Sequence, residues 1–441
     1  MILWTVALDS CILDSANWAK ANFERCDLGD QRLTNRLVKF ATKCADKPDD
    51  STPHQAQSAA DCKGAYRMMD NGKLNFTNVT AAHFARTRSL AKSGVWLSIC
   101  DTTEIAFSMK RQVEGLGKTG NNGGQGFFLH SSLMVSAADN QILGLAGQEL
   151  FYRIPSRLNE SNTQRKKRKR NSEVWWRVVQ QVGTPNPQTR IVHDCDRGAD
   201  DYEFYTHCQQ QQCGWVVRAQ HLTRKIYVAD AKSNALPVKS KEETTYLGDY
   251  ISAQRVVATY ALEIPASKGR SKRTATVEVR IGNVWMPRSS VASPWLKENG
   301  PKFIKMGVVE VSEVSRVPKG ASKVHWVLLT DGPMVIEYYE KRWIVEDYHK
   351  GLKTGCEVEK RQYQTAARLE RVTGLLSILA IRLIQIRNAG RTEPQRKAKG
   401  LVPKRWLIAL CKVHRQRSPK AKQKWLPSRL TIGEFMRGLA C

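Results

Sequence analysis

The sequence is short of acid. Its 441 residues hold 41 aspartates and glutamates against 70 lysines and arginines, a net charge of +29. That balance excludes an acidic, self-solvating chain and points to a polyanionic partner, most often nucleic acid. The sequence also lacks any CxxC pair. Its eleven cysteines are scattered, and Cys208 and Cys213 are too isolated to suggest a zinc site, so reduced thiols in a cytoplasmic, nucleoid-associated protein are the expectation. No apolar run approaches the roughly 18 residues of a membrane helix, so none is predicted. The opening "MILWTVALDSCIL" has no basic leader and is interrupted by Asp9, which argues against a signal peptide. Internal repeats are missing too. What the chain does have is core material, 41% hydrophobic residues, and length enough for two or three domains.

Residues 14–92 read as helical. In "GDQRLTNRLVKFATKCAD", Asp30 is placed to cap a helix. Leu33, Leu37, Phe40 and Cys44 then form an apolar stripe, and Arg32, Arg36, Lys39 and Lys43 repeat the spacing beside it. Cations stacked on one stripe repel one another, an arrangement that makes better sense opposite phosphates than opposite water. "QAQSAADCKGAYRMM" predicts a second helix carrying Lys63 and Arg67 one turn apart, and "NVTAAHFARTRSLAKS" a third. Beyond residue 93 short apolar strands alternate with helices. The strands are "VWLSICD", "GFFLHSSLMVSA", "QILGLAGQELFYR", "TRIVHDCD" and "GWVVRAQH"; the helices are "EVWWRVVQQV" and "DDYEFYTHCQQQ". A basic run, "RKKRKR", reads as an exposed loop able to touch DNA. Residues 222–331 are strand-rich. In "TATVEVRI", Ala275, Val277, Val279 and Ile281 are predicted to face one way. Helices follow over 334–355 and 364–388, then a weakly periodic basic tail.

Two acids, Asp101 and Asp196, close hydrophobic strands. A strand end holds a carboxylate rigidly and can present it to a second one on a neighbouring strand, and such a pair can share hard divalent cations. Singly, each reads as readily as a turn or cap residue, and Asp194 and Asp200 are rivals that spacing does not exclude. On a helical wheel, Tyr339, Arg342, Glu346, Lys350 and Lys353 of "YYEKRWIVEDYHKGLKTG" fall within about 80° of arc. Ile344, Val345, Tyr348 and Leu352 occupy the opposite side. Glu346 is thus a lone acid flanked by cations over an apolar back. Ordinary i, i+4 ion pairs explain this in part. The alternative is a third metal carboxylate whose neighbouring cations hold DNA phosphates. Three carboxylates holding two Mg²⁺ ions suit phosphodiester chemistry, one metal activating the attacking hydroxyl and the other stabilising the leaving oxygen.

Tyr339, Arg342, Glu346 and Lys353 reproduce the signature Y-(2)-R-(3)-E-(6)-K. With "LGDQRLTNRL", "GAYR", "DTT" at 101, "CDRGAD" at 195 and "WVVRAQH" at 215, the chain resembles, over nearly its whole length, the DDE transposases of bacterial insertion sequences. The specific likeness is to the insertion-sequence-four family, to which transposon five belongs. The resemblance implies an α/β fold. An RNase H-like catalytic domain over 76–370, with a β insertion at 222–331, is preceded by a helical transposon-end DNA-binding domain over 1–75. A helical C-terminal segment over 371–441, shortened in its dimerisation region, follows. It implies that Asp101, Asp196 and Glu346 bind two Mg²⁺ ions, for which Mn²⁺ can substitute. Tyr339, Arg342 and Lys353 would contact phosphates of the transposon end, Arg218 and His221 would match a DNA-contacting "R..H", and Trp326 would hold a flipped base. The family reaction is cut and paste. Water nicks the element's end, the freed 3′-hydroxyl attacks the opposite strand to give a hairpin, water reopens it, and the 3′-hydroxyl joins target DNA. The partners are then both DNAs and a second copy of the chain.

Two departures define an alternative, a catalytically inactive or truncated DNA-binding copy acting as inhibitor or relic. Thirteen positions separate Trp326 from Tyr339, where family members usually carry a longer helical segment, and relatives typically continue beyond "EFM" near the C-terminus.

Overall fold

The computed structural model describes residues 14–439, apart from 57, 111, 121–123, 155–158, 160, 162–163, 165–169, 230–243, 265–271, 319, 393, 400–401, 403 and 418–424. Nearly all of the "RKKRKR" run and most of the turn "SKGRSKR" lie outside the described residues.

The fold is mixed α/β, a helical N-terminal region on one large mixed sheet. The strands are β1 (Gly94–Phe107), β2 (Gly117–Thr119), β3 (Gly124–Ser136), β4 (Ile142–Phe151), β5 (Thr189–Cys195), β6 (Gly214–Arg218), β7 (Lys225–Val228), β8 (Thr244–Tyr246), β9 (Val256–Ile264), β10 (Arg273–Pro287), β11 (Phe303–Glu313) and β12 (His325–Thr330). They hydrogen-bond in the order β2-β3-β1-β5-β6-β12-β11-β10-β7-β8, with β4 also on β3 and β9 also on β10. β1 runs antiparallel to β3 and parallel to β5, and β5 runs parallel to β6. The strand-rich block therefore continues the same sheet, joined where β12 pairs antiparallel with β6.

Alternation along β1 assigns the two faces. Leu97, Ile99, Ile105 and Phe107 pack into one core with the helices Phe76–Leu90, Ile344–Lys350 and Ala366–Thr392. Cys100 faces the other core, built on the helices Val174–Val182 and Tyr202–Gln210. The N-terminal helices share the first core: the helix Gln31–Asp46 buries Leu33, Leu37, Phe40 and Cys44 in it. Arginines fasten them to the C-terminal half. Arg382 donates to the Ala45 carbonyl, Arg371 to the carbonyls of Met69 and Leu74, and Arg361 to those of Pro48 and Asp50. The helix Ala366–Thr392 spans residues 370 and 371. No helix among the described residues is long and apolar enough to cross a membrane.

Three expectations are corrected. Asp101 does not close its strand, because "TTEIAF" continues β1 to Phe107 against β3. The alternation of β10 breaks at Ile281, which is exposed; the β9–β10 register shifts between Val279 and Arg280, and Gly282 takes the buried position against the Tyr250 ring, where a Cβ would sit 2.6 Å from a ring carbon. Residues 334–355 are not one α-helix. Val335–Glu340 and Ile344–Lys350 are α-helical, but Lys341–Trp343 tightens to a 3₁₀ turn and Gly351–Gly355 widens to a π turn.

His83 ties three elements together. Its Nε2 accepts from the Leu145 N–H of β4 at 3.0 Å, which leaves Nδ1–H to donate to the Asn22 Oδ1 on the helix Ser15–Phe23 at 2.6 Å. A proton on Nε2 would oppose the Leu145 N–H, and burial, with Arg86 adding to it, pushes the His83 pKa down to about 3. The unfolded chain therefore takes a proton on acidification that the native state refuses. Stability from this group is complete above about pH 6.5 and is lost toward about pH 3, at about 1.4 kcal/mol per pH unit. His83→Gln should start less stable at pH 7 yet lose less between pH 7 and 4.5, as read by denaturant titration. Equal losses in parent and variant would remove His83 from the account.

Candidate active site and DNA interface

The parallel pairing of β1 with β5 builds the site. Its last matched residues are Cys100 and Cys195, so the next residue on each strand is an aspartate, Asp101 and Asp196. There the strands part. β1 goes on, while the chain after Cys195 turns into the short helix Arg197–Ala199, whose Gly198 N–H donates to Asp196 Oδ1 at 2.8 Å. Gly198 lies so close to Trp175 that a Cβ would sit 2.7 Å from its ring, so a glycine is needed where the chain turns away from the site.

Glu346 arrives on the helix Ile344–Lys350. Ile344, Val345 and Tyr348 are buried beneath it, and the Tyr348 hydroxyl accepts from Gln148 Nε2 of β4 at 2.8 Å. Gln148 also donates to Ser131, the β3 partner of Asp101. The helix is thus keyed to the strand pair that carries Asp101. Arg342 stands between the acids, 3.7 Å from Asp101 Oδ2 and 3.8 Å from Glu346 Oε1. Burial pushes the Asp101 pKa up to about 6. Arg342 and the Thr102 N–H work against that, and the charges of Asp196 and Glu346 add to it.

A fourth group completes the cluster. His349, one turn beyond Glu346, places Nδ1 3.9 Å from Asp101 Oδ2. Its Nε2 is buried with no hydrogen-bond partner. Burial, then Lys353, His130 and Arg342, push its pKa down to about 3, leaving a neutral ring at pH 7. One ligand atom each from Asp101, Glu346 and His349 lies within 4.8 Å of the others, a donor set that fits a divalent cation. On the wheel His349 falls next to Arg342, at the edge of the polar arc, and its signal was the Glu-x-x-His spacing in "EDYH".

The rivals to Asp196 separate by their surroundings. Asp200 is committed inside the protein, accepting from Tyr205, Arg224 and the Gln220 N–H at 2.9, 2.7 and 2.7 Å. Asp194 is fully buried with neither oxygen paired, and burial, partly offset by Arg342, pushes its carboxyl well above the usual range. Only Asp196 opens beside Asp101.

The other anticipated DNA contacts gather unevenly. Tyr339 is buried edge-on against Trp326, ring centres 5.1 Å apart. Arg218 donates to the His325 carbonyl at 2.8 Å beside it. Lys350 is exposed, and Lys353, on the π turn, pairs with Glu359 at 3.6 Å. His221 lies on the rim of a cleft of about 500 Å³ walled by Arg170, Arg224, Asp200 and Glu203.

In the N-terminal region the cation stripe meets an acid instead of open water. Asp61 receives Arg36 at 3.5 Å, Lys39 at 2.9 Å and Lys43 at 2.5 Å, and Lys43 is buried. These three cations hold the helix Gln31–Asp46 to the helix Ala59–Asp70, a pairing invisible to a wheel drawn for one helix. Arg32, Lys63 and Arg67 remain exposed, Arg32 also pairing with the cap residue Asp30.

Residues 15–74 match the family model described as transposase DNA-binding. A transposase DNA-binding domain is therefore present, and it supports DNA as a partner and a transposase as the class of the whole chain.

Replacing Asp61 by Asn should lower the melting temperature, because Lys43 keeps its charge in a buried place with nothing opposite it. Adding Lys43→Met should recover most of the loss. A single variant as stable as the parent would show that the cluster holds nothing together.

Proposed function

We propose that this chain is a cut-and-paste DNA transposase of the insertion-sequence-four kind, built on an RNase H-like core. It binds the terminal inverted repeats of its element and cuts with Asp101, Asp196 and Glu346. The observation that carries the reading is the parallel register that ends one residue before both aspartates, in a chain that also holds a transposase DNA-binding domain. The order β4-β3-β1-β5-β6, three antiparallel strands followed by two parallel to the first, supports the RNase H-like core.

Asp101, Asp196 and Glu346 would hold two divalent cations, Mg²⁺ or Mn²⁺, which when bound activate a hydroxyl and stabilise the leaving oxygen. The chain's own cations do the rest. Arg342, Lys350 and Lys353 neutralise phosphates running past the acids, and Tyr339 lines the same path. Trp326, half-buried and braced by Tyr339, would stack on a base leaving the duplex, as a hairpin intermediate requires. Arg32, Lys63, Arg67 and the outer part of Lys39 face solvent and suit the end sequence. Two copies of the chain act on paired ends, one cutting the end the other holds.

Asp101→Asn, Asp196→Asn and Glu346→Gln should each reduce Mg²⁺-dependent nicking of end-bearing DNA to background while end binding persists. Variants that cut like the parent would overturn the site. Binding by the parent without cutting at any metal concentration would establish the inactive-copy alternative. End affinity should fall steeply and linearly on a log–log plot of salt, as counterion release demands; a flat plot would argue against DNA as the partner.

A further inference from the structure

The proposed acids are three oxygen donors, but the cluster that the fold assembles is not all oxygen. We propose that His349 is a direct metal ligand, so that the two metal positions differ. One is bound by Asp101, Glu346 and the His349 imidazole, and the other by oxygens of Asp101 and Asp196. This rests on the functional reading above and adds a nitrogen-containing position that prefers Mn²⁺, Co²⁺ or Zn²⁺ over Mg²⁺.

Three observations converge. Asp101, Glu346 and His349 are the residues whose ligand atoms crowd within 4.8 Å, and the geometry reaches this without Asp196, whose oxygen is turned to the Gly198 N–H. Glu346 and His349 stand three residues apart on one helix face, a spacing by which helices in bundles present a carboxylate and an imidazole to the same ion. The ring is also poised for a partner it does not have. Its Nδ1, the nitrogen on the side of the acids, sits 3.9 Å from Asp101 Oδ2, beyond hydrogen-bonding reach yet close enough for both atoms to share a cation.

Mn²⁺ bound to the full-length protein is the probe, read by pulsed electron paramagnetic resonance, which detects nitrogen nuclei coordinated to the ion. The parent should show a histidine nitrogen coupling that changes on ¹⁵N-histidine labelling, a measurement that needs no variant. His349→Gln should abolish the coupling and weaken Mn²⁺ binding by about tenfold or more, with its melting temperature and DNA-end binding serving as the folding controls. Bound Mn²⁺ with no histidine coupling, or a coupling that survives in His349→Gln, overturns the proposal. If Mn²⁺ without that coupling still supports cutting that Asp101→Asn abolishes, the transposase reading stands and only the role of His349 falls. If the parent binds no Mn²⁺ at all, both fall together.

Discussion

Everything at the candidate site depends on one pairing, the parallel register of β1 and β5. Parallel strands run out of partners where one of them turns aside. Here β5 turns aside after Cys195, so that the residues following Cys100 and Cys195 are two carboxylates side by side at the point where the backbone opens. Like charges brought this close and half out of water are unfavourable by themselves, and the raised Asp101 pKa registers that cost. Arg342 offsets it in the free protein. The Tyr348–Gln148–Ser131 chain of hydrogen bonds keeps the Glu346 helix from drifting away from the repulsion.

The scarcity of acid has a structural counterpart. Several of the few carboxylates each collect more than one cation: Asp61 takes Arg36, Lys39 and Lys43, and Asp347 takes Arg387 and Arg391 at 2.5 and 3.2 Å. These acids are joints between helices distant in sequence. They also decide which basic residues stay outward for a polyanion, so the net charge of the chain overstates the charge available to DNA at any one face.

Much of this was legible beforehand. The helices of residues 14–92, the Asp30 cap, the buried stripe from Leu33 to Cys44 and the strand-rich block followed from periodicity, because each depends on local spacing. So did Glu346 standing over an apolar back. What escaped depends on residues far apart in the chain. The role of Asp61 required knowing which helix lies beside Gln31–Asp46. The extension of β1 beyond Asp101 required β3, and the reversal at Ile281 required Tyr250 to press on Gly282. The wheel assumed one uniform pitch, which the tight turn at Lys341–Trp343 and the wide one at Gly351–Gly355 interrupt. His349 escaped because a lone histidine on a helix gives no sign of its neighbours until β1 brings Asp101 beside it.

The continuity of the sheet has a mechanical meaning. Asp196 follows β5, β6 is its neighbour, and Trp326 lies on β12 beyond that, all joined by backbone hydrogen bonds. Two interstrand steps of about 4.8 Å set the lateral offset between the strands bearing acid and indole at about 10 Å. No loop intervenes to adjust it. The protein is a fixed gauge at this point, and on the proposed function a duplex laid across it has to be the compliant partner.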